Sequence, residues 1–239
     1  MMSGTLYLIP NTLGEGDDTM LDAVLPASVR AQASRLGYFV GENAKSTRVF
    51  LKRVGTTRPI QEIVIAELNV NTPPGQVDAL LKPILEGEDG GLVSEAGCPA
   101  VADPGALLVA RAHQRSVKVV PLVGPNSILL GLMASGLNGQ SFAFHGYLPL
   151  EPAVRTKHLR ELEQISRRGR QTQIFIETPY RNKVLLEALR ATCAPSTLLC
   201  IAVDLTLPTE QVVSKPISSW KPDTLDLNKR PAIFLVLAI

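Results

Sequence analysis

The stretch Leu92-Val93-Ser94-Glu95-Ala96-Gly97-Cys98-Pro99-Ala100-Val101-Ala102-Asp103-Pro104-Gly105 decides the fold. A short apolar run, Gly91 to Val93, leads into it. Small residues and turn formers fill the middle, and an apolar, helix-compatible run from Ala106 to His113 follows. The pattern is strand, loop, helix. In open α/β sheets, ligands settle in the crevice at the carboxyl ends of the strands. Gly97 and Gly105 permit backbone angles and close approaches that other residues resist. Asp103 can cap the following helix, with Pro104 expected at its first position.

Working outward, the same alternation recurs. Thr5–Ile9 reads as a strand ended by Pro10, and the loop from Asn11 to Asp18 carries Gly14, Gly16, Asp17 and Asp18. Asp18 or Thr19 can cap a short helix to Leu25, and a second helix spans about Ala27 to Leu36. A strand at Tyr38–Val40 leads to Gly41, Glu42 and Asn43, then to a basic helix from about Ala44 to Arg53. Ile60 to Leu68 is β-like, Pro73-Pro74-Gly75 is a break, and Gln76 to Leu85 carries apolar residues at one-face helical spacing. Val117 to Val123 is nearly all apolar, as expected of a parallel strand covered on both faces. Gly124 to Ser127 then starts a helix, Ile128 to Ser135. Such alternation predicts an α/β domain with a mainly parallel sheet.

The second half differs. Ser141 to Leu148 alternates, Pro149 and Pro152 interrupt it, and a charged helix is expected over about Arg155–Arg167. A strand at Gln171–Thr178 precedes a helix at Tyr180–Ala191. Strands at Leu198–Leu205, Glu210–Ile217 and Ala232–Ile239 suggest antiparallel hairpins. The expected architecture is α/β throughout: a parallel-sheet N-terminal domain, residues 1–123, and a mixed-sheet α+β domain, residues 124–239.

Composition narrows the function. The chain has 239 residues, 45% of them hydrophobic, and a net charge of +2, so no strong overall field draws nucleic acid. No apolar run reaches the roughly 18 residues of a membrane span. The N-terminal residues Met1 to Gly4 carry no charged leader segment, and a cytoplasmic protein is expected. Cys98, Cys193 and Cys200 have no metal-ligand spacing, and His113, His145 and His158 are scattered, so no metal site is expected. Two basic groups stand out: Lys45, Arg48, Lys52 and Arg53, then Arg155, Lys157, Arg160, Arg167, Arg168 and Arg170. Each is either a solvated helix face or a phosphate-binding surface. No nucleophile triad, P-loop or zinc-helix motif is present. Gly14-Glu15-Gly16-Asp17 is a poor pyrophosphate cradle, which disfavours a nicotinamide enzyme. What remains is three loops rich in main-chain groups, each after a strand: Pro10–Asp17, Glu95–Gly105 and Gly124–Ser127. Glu177 ends a strand of the second half and stands at helical spacing from Arg181.

In order and spacing these segments resemble the tetrapyrrole methylase superfamily, the class III S-adenosylmethionine-dependent methyltransferases. They are nearest to its small-subunit rRNA (ribose-2′-O) methyltransferase group. The resemblance spans nearly the whole chain. It rests on Leu6-Tyr7-Leu8-Ile9-Pro10, Val93 to Pro99, Asp103-Pro104-Gly105, Pro121 to Ser127, Phe142 to Pro149, and Ile174 to Arg181. It implies a homodimer of two-domain subunits with S-adenosylmethionine held in a cleft between the domains. Pro10, Ser94, Gly97, Cys98, Val101, Ser127 and Ile128 would contact the cofactor, and Glu177, Thr178, Pro231 and Ala232 would form a wall near its adenine. By the same resemblance the substrate is rRNA, with Lys45, Arg48 and Arg181 holding phosphate and Glu42 the candidate general base. A tetrapyrrole or another small molecule is the alternative acceptor. The chain departs from the group's pattern at Glu95 and Cys98 (usually Asp and Thr), in Glu42-Asn43-Ala44-Lys45-Ser46, at Val123, and over Asp204–Glu210. These departures bear on the methyl acceptor more than on cofactor contacts, which main-chain atoms would carry.

Overall fold

The computed structural model describes residues 3–14, 18–221 and 223–239. The chain forms two compact units, residues 1–126 and 127–239.

The N-terminal unit holds strands β1 (Thr5–Ile9), β2 (Tyr38–Gly41), β3 (Val64–Glu67), β4 (Gly90–Val93) and β5 (Lys118–Pro121). They form one sheet in the order β3-β2-β4-β1-β5, and every pairing is parallel. Period-two alternation builds two cores. Leu6, Tyr38, Val40 and Leu92 face α4 (Val77–Leu85) and α5 (Gly105–Gln114). Ile9, Phe39 and Val93 face α1 (Asp18–Val24), α2 (Ala27–Arg35) and α3 (Ala44–Val54). Helices on both faces make this a doubly wound unit.

Three expectations change here. β5 is an edge strand, paired only with β1, and its ends are exposed. Pro121 lacks the N–H that a central strand would need, so an apolar run that reads as buried sits at the border. The β-like run from Ile60 splits into a 3₁₀ turn, Ile60–Glu62, and the short β3. α5 begins at Gly105, with Pro104 one position earlier than expected as its cap. α1 begins at Asp18; the side chains of Asp18 and Thr19, its expected caps, and the Glu15-Gly16-Asp17 part of the loop before it lie outside what the structure describes.

In the C-terminal unit, β6 (Phe142–Tyr147), β7 (Thr172–Glu177), β8 (Leu198–Val203), β9 (Gln211–Pro216) and β10 (Ala232–Leu237) form a mixed sheet in the order β6-β7-β10-β8-β9. Only β6–β7 is parallel. β8 and β9 pair as expected, but β10 inserts between β7 and β8 instead of extending a hairpin. One face packs on α7 (Pro152–Gly169) and α8 (Asn182–Thr192) through Leu159, Leu162, Phe175, Leu185, Phe234 and Trp220. On the other face α6 (Ser127–Ser135) lies so close that a Cβ at Gly131 would meet Ile233 at 2.9 Å. α7 starts three residues before the expected point. Glu151 caps it, accepting from Ala153 N at 2.9 Å and Val154 N at 2.6 Å, with Pro152 in the first turn where no N–H is needed. α8 starts two residues later than expected, at Asn182.

Candidate active site

The sheet order puts the carboxyl ends of β2, β4, β1 and β5 side by side in the N-terminal unit, and the turns leaving them are knit together. Asn11 N donates to Gly97 O at 2.9 Å and Gly97 N to Thr12 O at 3.2 Å. The Asn11 amide donates to Ser94 O and Glu95 O, each at 3.2 Å. Ser94, buried, donates through its hydroxyl to Gly97 O at 2.9 Å. Gly97 takes a φ of +69°, a conformation that penalises residues with a Cβ.

Two contacts bring in the turn after β5. Cys98 Sγ donates to Pro125 O at 3.5 Å. A Cβ on Gly124 would sit 2.2 Å from Pro10 Cβ, so only glycine lets these turns touch. Pro10, Ser94, Gly97 and Cys98 thus lie in one patch of main-chain groups, with Val101 exposed on the same turn at 43%.

The turn after β2 completes the rim. Asn43 caps α3, accepting from Lys45 N at 2.8 Å and Ser46 N at 3.3 Å. Ser46 Oγ donates to the Glu95 carboxylate. Asn43, not the neighbouring Glu42, is the cap of α3. Glu42 Oε1 accepts weakly from Glu95 N at 3.4 Å. Burial chiefly lifts its carboxyl above the usual range; the charges of Asp103 and Glu95 push the same way, and the Glu95 N–H opposes them. Lys45 and Arg48 are exposed on α3. The rim therefore offers main-chain donors and acceptors, small side chains and three neighbouring carboxyl groups. Such a surface suits a polar ligand carrying positive charge.

Within the C-terminal unit, Glu177 pairs across strands with Ala232, so Glu177, Thr178, Pro231 and Ala232 gather at one end of that sheet. Glu177 is buried there. It accepts from Thr178 N at 2.8 Å and meets Arg181 at 3.4 Å. The expected i to i+4 pair forms, but around a buried carboxylate instead of a surface one. Arg181 is thereby engaged within its own unit. Pro231 O accepts from Asp204 N at 3.0 Å, and Arg230 Nε donates to the Asp204 carboxylate at 2.7 Å. Ser127 and Ile128 open α6.

A chain from Vibrio cholerae serotype O1 named ribosomal RNA small subunit methyltransferase I is 34% identical over 239 residues, covering 97% of this chain and 76% of the relative. This chain belongs to the ribosomal RNA small subunit methyltransferase I family. Relatives of that name from Xylella fastidiosa and Escherichia coli O157:H7 are each 28% identical, covering 98% of this chain and 81% and 77% of their own lengths. Among solved structures, the methyltransferase CobJ matches with a TM-score of 0.64 at 19% identity, over 99% of this chain and 95% of its own. Cobalt precorrin-4 methyltransferase, CbiF, a cobalamin biosynthetic enzyme, matches with a TM-score of 0.60 at 14% identity, over 98% and 94%. These two show the fold. No protein-family model matches the chain.

For this family member, Asn11 and Thr12 are the rim residues that sequence reasoning missed, both buried and polar. Their signal was two polar residues directly after a strand-ending proline. Arg155 leaves the expected basic surface: it is buried on the inner face of α7, and its Nη1 donates to Leu150 O at 3.2 Å. A hollow of about 660 Å³ along α7 is lined by Thr156, Lys157, Arg160 and neighbours from that helix alone. Lys157 and Arg160 come from the second basic group, and none of the residues expected to contact cofactor or substrate lines it.

Proposed function

We propose that this chain transfers a methyl group from S-adenosylmethionine to a ribose 2′-hydroxyl of small-subunit rRNA. Membership of the ribosomal RNA small subunit methyltransferase I family carries the reading, and the knit rim of the N-terminal unit supports it. The residues present fit the cofactor. Main-chain groups at Pro10, Gly97, Cys98 and Val101, with Ser94 behind them, suit its ribose and amino-acid parts. The carboxyl groups of Glu42, Glu95 and Asp103 favour a cation. We extend the proposal to Ser127, Ile128, Glu177, Thr178, Pro231 and Ala232 as further cofactor contacts.

When bound, S-adenosylmethionine supplies a methyl group already activated as a sulfonium, so the protein's task is chiefly alignment. Alignment of two reactants accounts for roughly 7–11 kcal/mol of barrier lowering in favourable cases. Glu42 would accept the hydroxyl proton, adding about 10²- to 10⁴-fold. Burial raises its pKa above the usual carboxylate range, which makes its carboxylate a stronger proton acceptor. Lys45 and Arg48 would hold RNA phosphates, with Arg181 assisting. A cytoplasmic homodimer goes with this reading; exposed Met133, Tyr147 and Leu150 are apolar side chains that a second copy would cover.

The test is incorporation of labelled methyl from S-adenosylmethionine into small-subunit rRNA, followed by nuclease mapping of the product. A 2′-O-methylated nucleotide is expected, with binding that weakens steeply as salt rises. Donor binding without incorporation into rRNA would overturn the acceptor assignment. Absence of donor binding would overturn the reading as a whole.

A further inference from the structure

The turn between β4 and α5 holds two alanines in the left-handed region, Ala100 at φ +65° and Ala102 at φ +59°. Non-glycine residues adopt that region at a cost, and two within three positions need something to hold them. Asp103 does this. Its Oδ1 accepts from Ala100 N at 2.9 Å and from Gly105 N at 2.7 Å, and its Oδ2 accepts from Ala100 N at 3.0 Å. The carboxylate ties the start of the strained segment to the first residue of α5. A Cβ on Gly105 would lie 2.7 Å from Asp103 Oδ1, so that glycine makes room for the carboxylate. Burial raises the Asp103 pKa while the Gly105 and Ala100 N–H groups lower it, so the ionised carboxylate depends on these donors.

Between the alanines, Val101 is pushed outward, and Cys98 is fixed on the other side by Pro125. We infer that Asp103 is a positioning residue for methyl-donor binding: by clamping Ala100 and Gly105 it imposes the left-handed turn that presents the main chain at Val101. This rests on the donor-binding reading above. A helix cap alone would need only the bond to Gly105. The second arm, to Ala100, reaches back across the strained turn and adds nothing to the helix.

Replacing Asp103 and placing glycine at the two alanines should act in opposite directions. Asp103→Asn is nearly isosteric, but if its oxygen stays at the Oδ1 position, its amide N–H₂ stands where Oδ2 stood, 3.0 Å from Ala100 N, so two donors oppose each other and the Ala100 arm weakens. Charge-assisted bonds to backbone amides are strong enough that donor affinity should fall about ten-fold or more. Glycine takes the left-handed region without penalty, so Asp103→Asn combined with Ala100→Gly and Ala102→Gly should regain most of that loss. A purely structural role would not give a rescue of affinity by two residues that make no new contact.

The experiment is calorimetric titration of the full chain with S-adenosylmethionine for wild type, D103N and D103N/A100G/A102G, with thermal melts alongside. A102V is a fourth sample. It keeps Asp103 but puts a β-branched residue at positive φ, and it should weaken binding as D103N does. Should D103N fail to fold, A102V and A100G/A102G decide the matter: the first must bind weakly and the second must bind. Wild-type-like affinity in D103N or A102V would overturn the inference, as would a D103N defect that the glycines leave untouched. If the wild type binds no donor, the reading beneath falls and the inference falls with it.

Discussion

Gly124→Ala probes the convergence of turns most sharply. The added Cβ would lie 2.2 Å from Pro10 Cβ, 2.6 Å from Pro10 Cγ and 3.1 Å from Leu25 Cδ2. Carbon atoms in contact sit about 3.5–4.0 Å apart, so one turn must retreat by more than about 1 Å. Leu25 can rotate away, whereas Pro10 is a closed ring following a central strand and has no flexible end to yield. Overpacking of this kind costs about 1–3 kcal/mol, and the rigid neighbour puts the expectation at about 2–3. Urea unfolding followed by circular dichroism measures it, with donor affinity from calorimetry on the same samples. Gly75→Ala, where a Cβ meets nothing within 4 Å, is the control. Pro10→Gly removes the clashing atoms, so the double variant P10G/G124A should show a favourable coupling of at least about 1 kcal/mol. A G124A protein within about 0.5 kcal/mol of wild type, with unchanged donor affinity, would refute the packing of these two turns.

Three further outcomes are expected. Arg230→Ala should destabilise the C-terminal unit by about 3 kcal/mol in urea, because it removes the cation from the Asp204 carboxylate, whose side chain is 8% exposed, and leaves it the Thr209 hydroxyl; Asp204→Asn in the same chain should recover part of it. Glu42 has a folded pKa raised above its usual 4.5, so the folded state binds the extra proton. Its penalty on stability is therefore absent in acid and develops as pH rises from about 4.5 through the raised value, and the stability advantage of Glu42→Gln should grow across that window; a pH-independent difference would contradict this. Burial pushes the Cys193 and Cys200 thiols up to about 12, so they stay protonated at pH 8, and a thiol reagent on native protein should modify Cys98 first and lower donor affinity.

Local signals carried much of the fold. The alternation in Thr5–Ile9 and Tyr38–Val40 names strands because one residue in two must enter each core. Asn43 ahead of an amphipathic segment names a helix start because its side chain satisfies two orphan amides. Edge and order are not local properties. Val117–Val123 is apolar enough for a central strand, and only Pro121 hints that nothing pairs on its far side. That β10 lies between β7 and β8 depends on long-range pairing that no segment encodes alone. Arg155 shares a helical face with Leu159, Leu162 and Ser166, so spacing could have withdrawn it from the basic surface. In the candidate site, small and turn-forming residues mark the loops that the N-terminal unit brings together. The Asp103 clamp was only half legible: aspartate before proline signals a helix cap. Left-handed alanines have no sequence signature, since alanine prefers the helical region elsewhere.

In the proposed function the turns after β1 and β4 grip the methyl donor. Hydrogen–deuterium exchange on the full chain, with and without saturating S-adenosylmethionine, tests it directly. Donor should slow exchange in peptides covering residues 10–14 and 94–105. Measured donor binding that leaves both segments exchanging as before would contradict it.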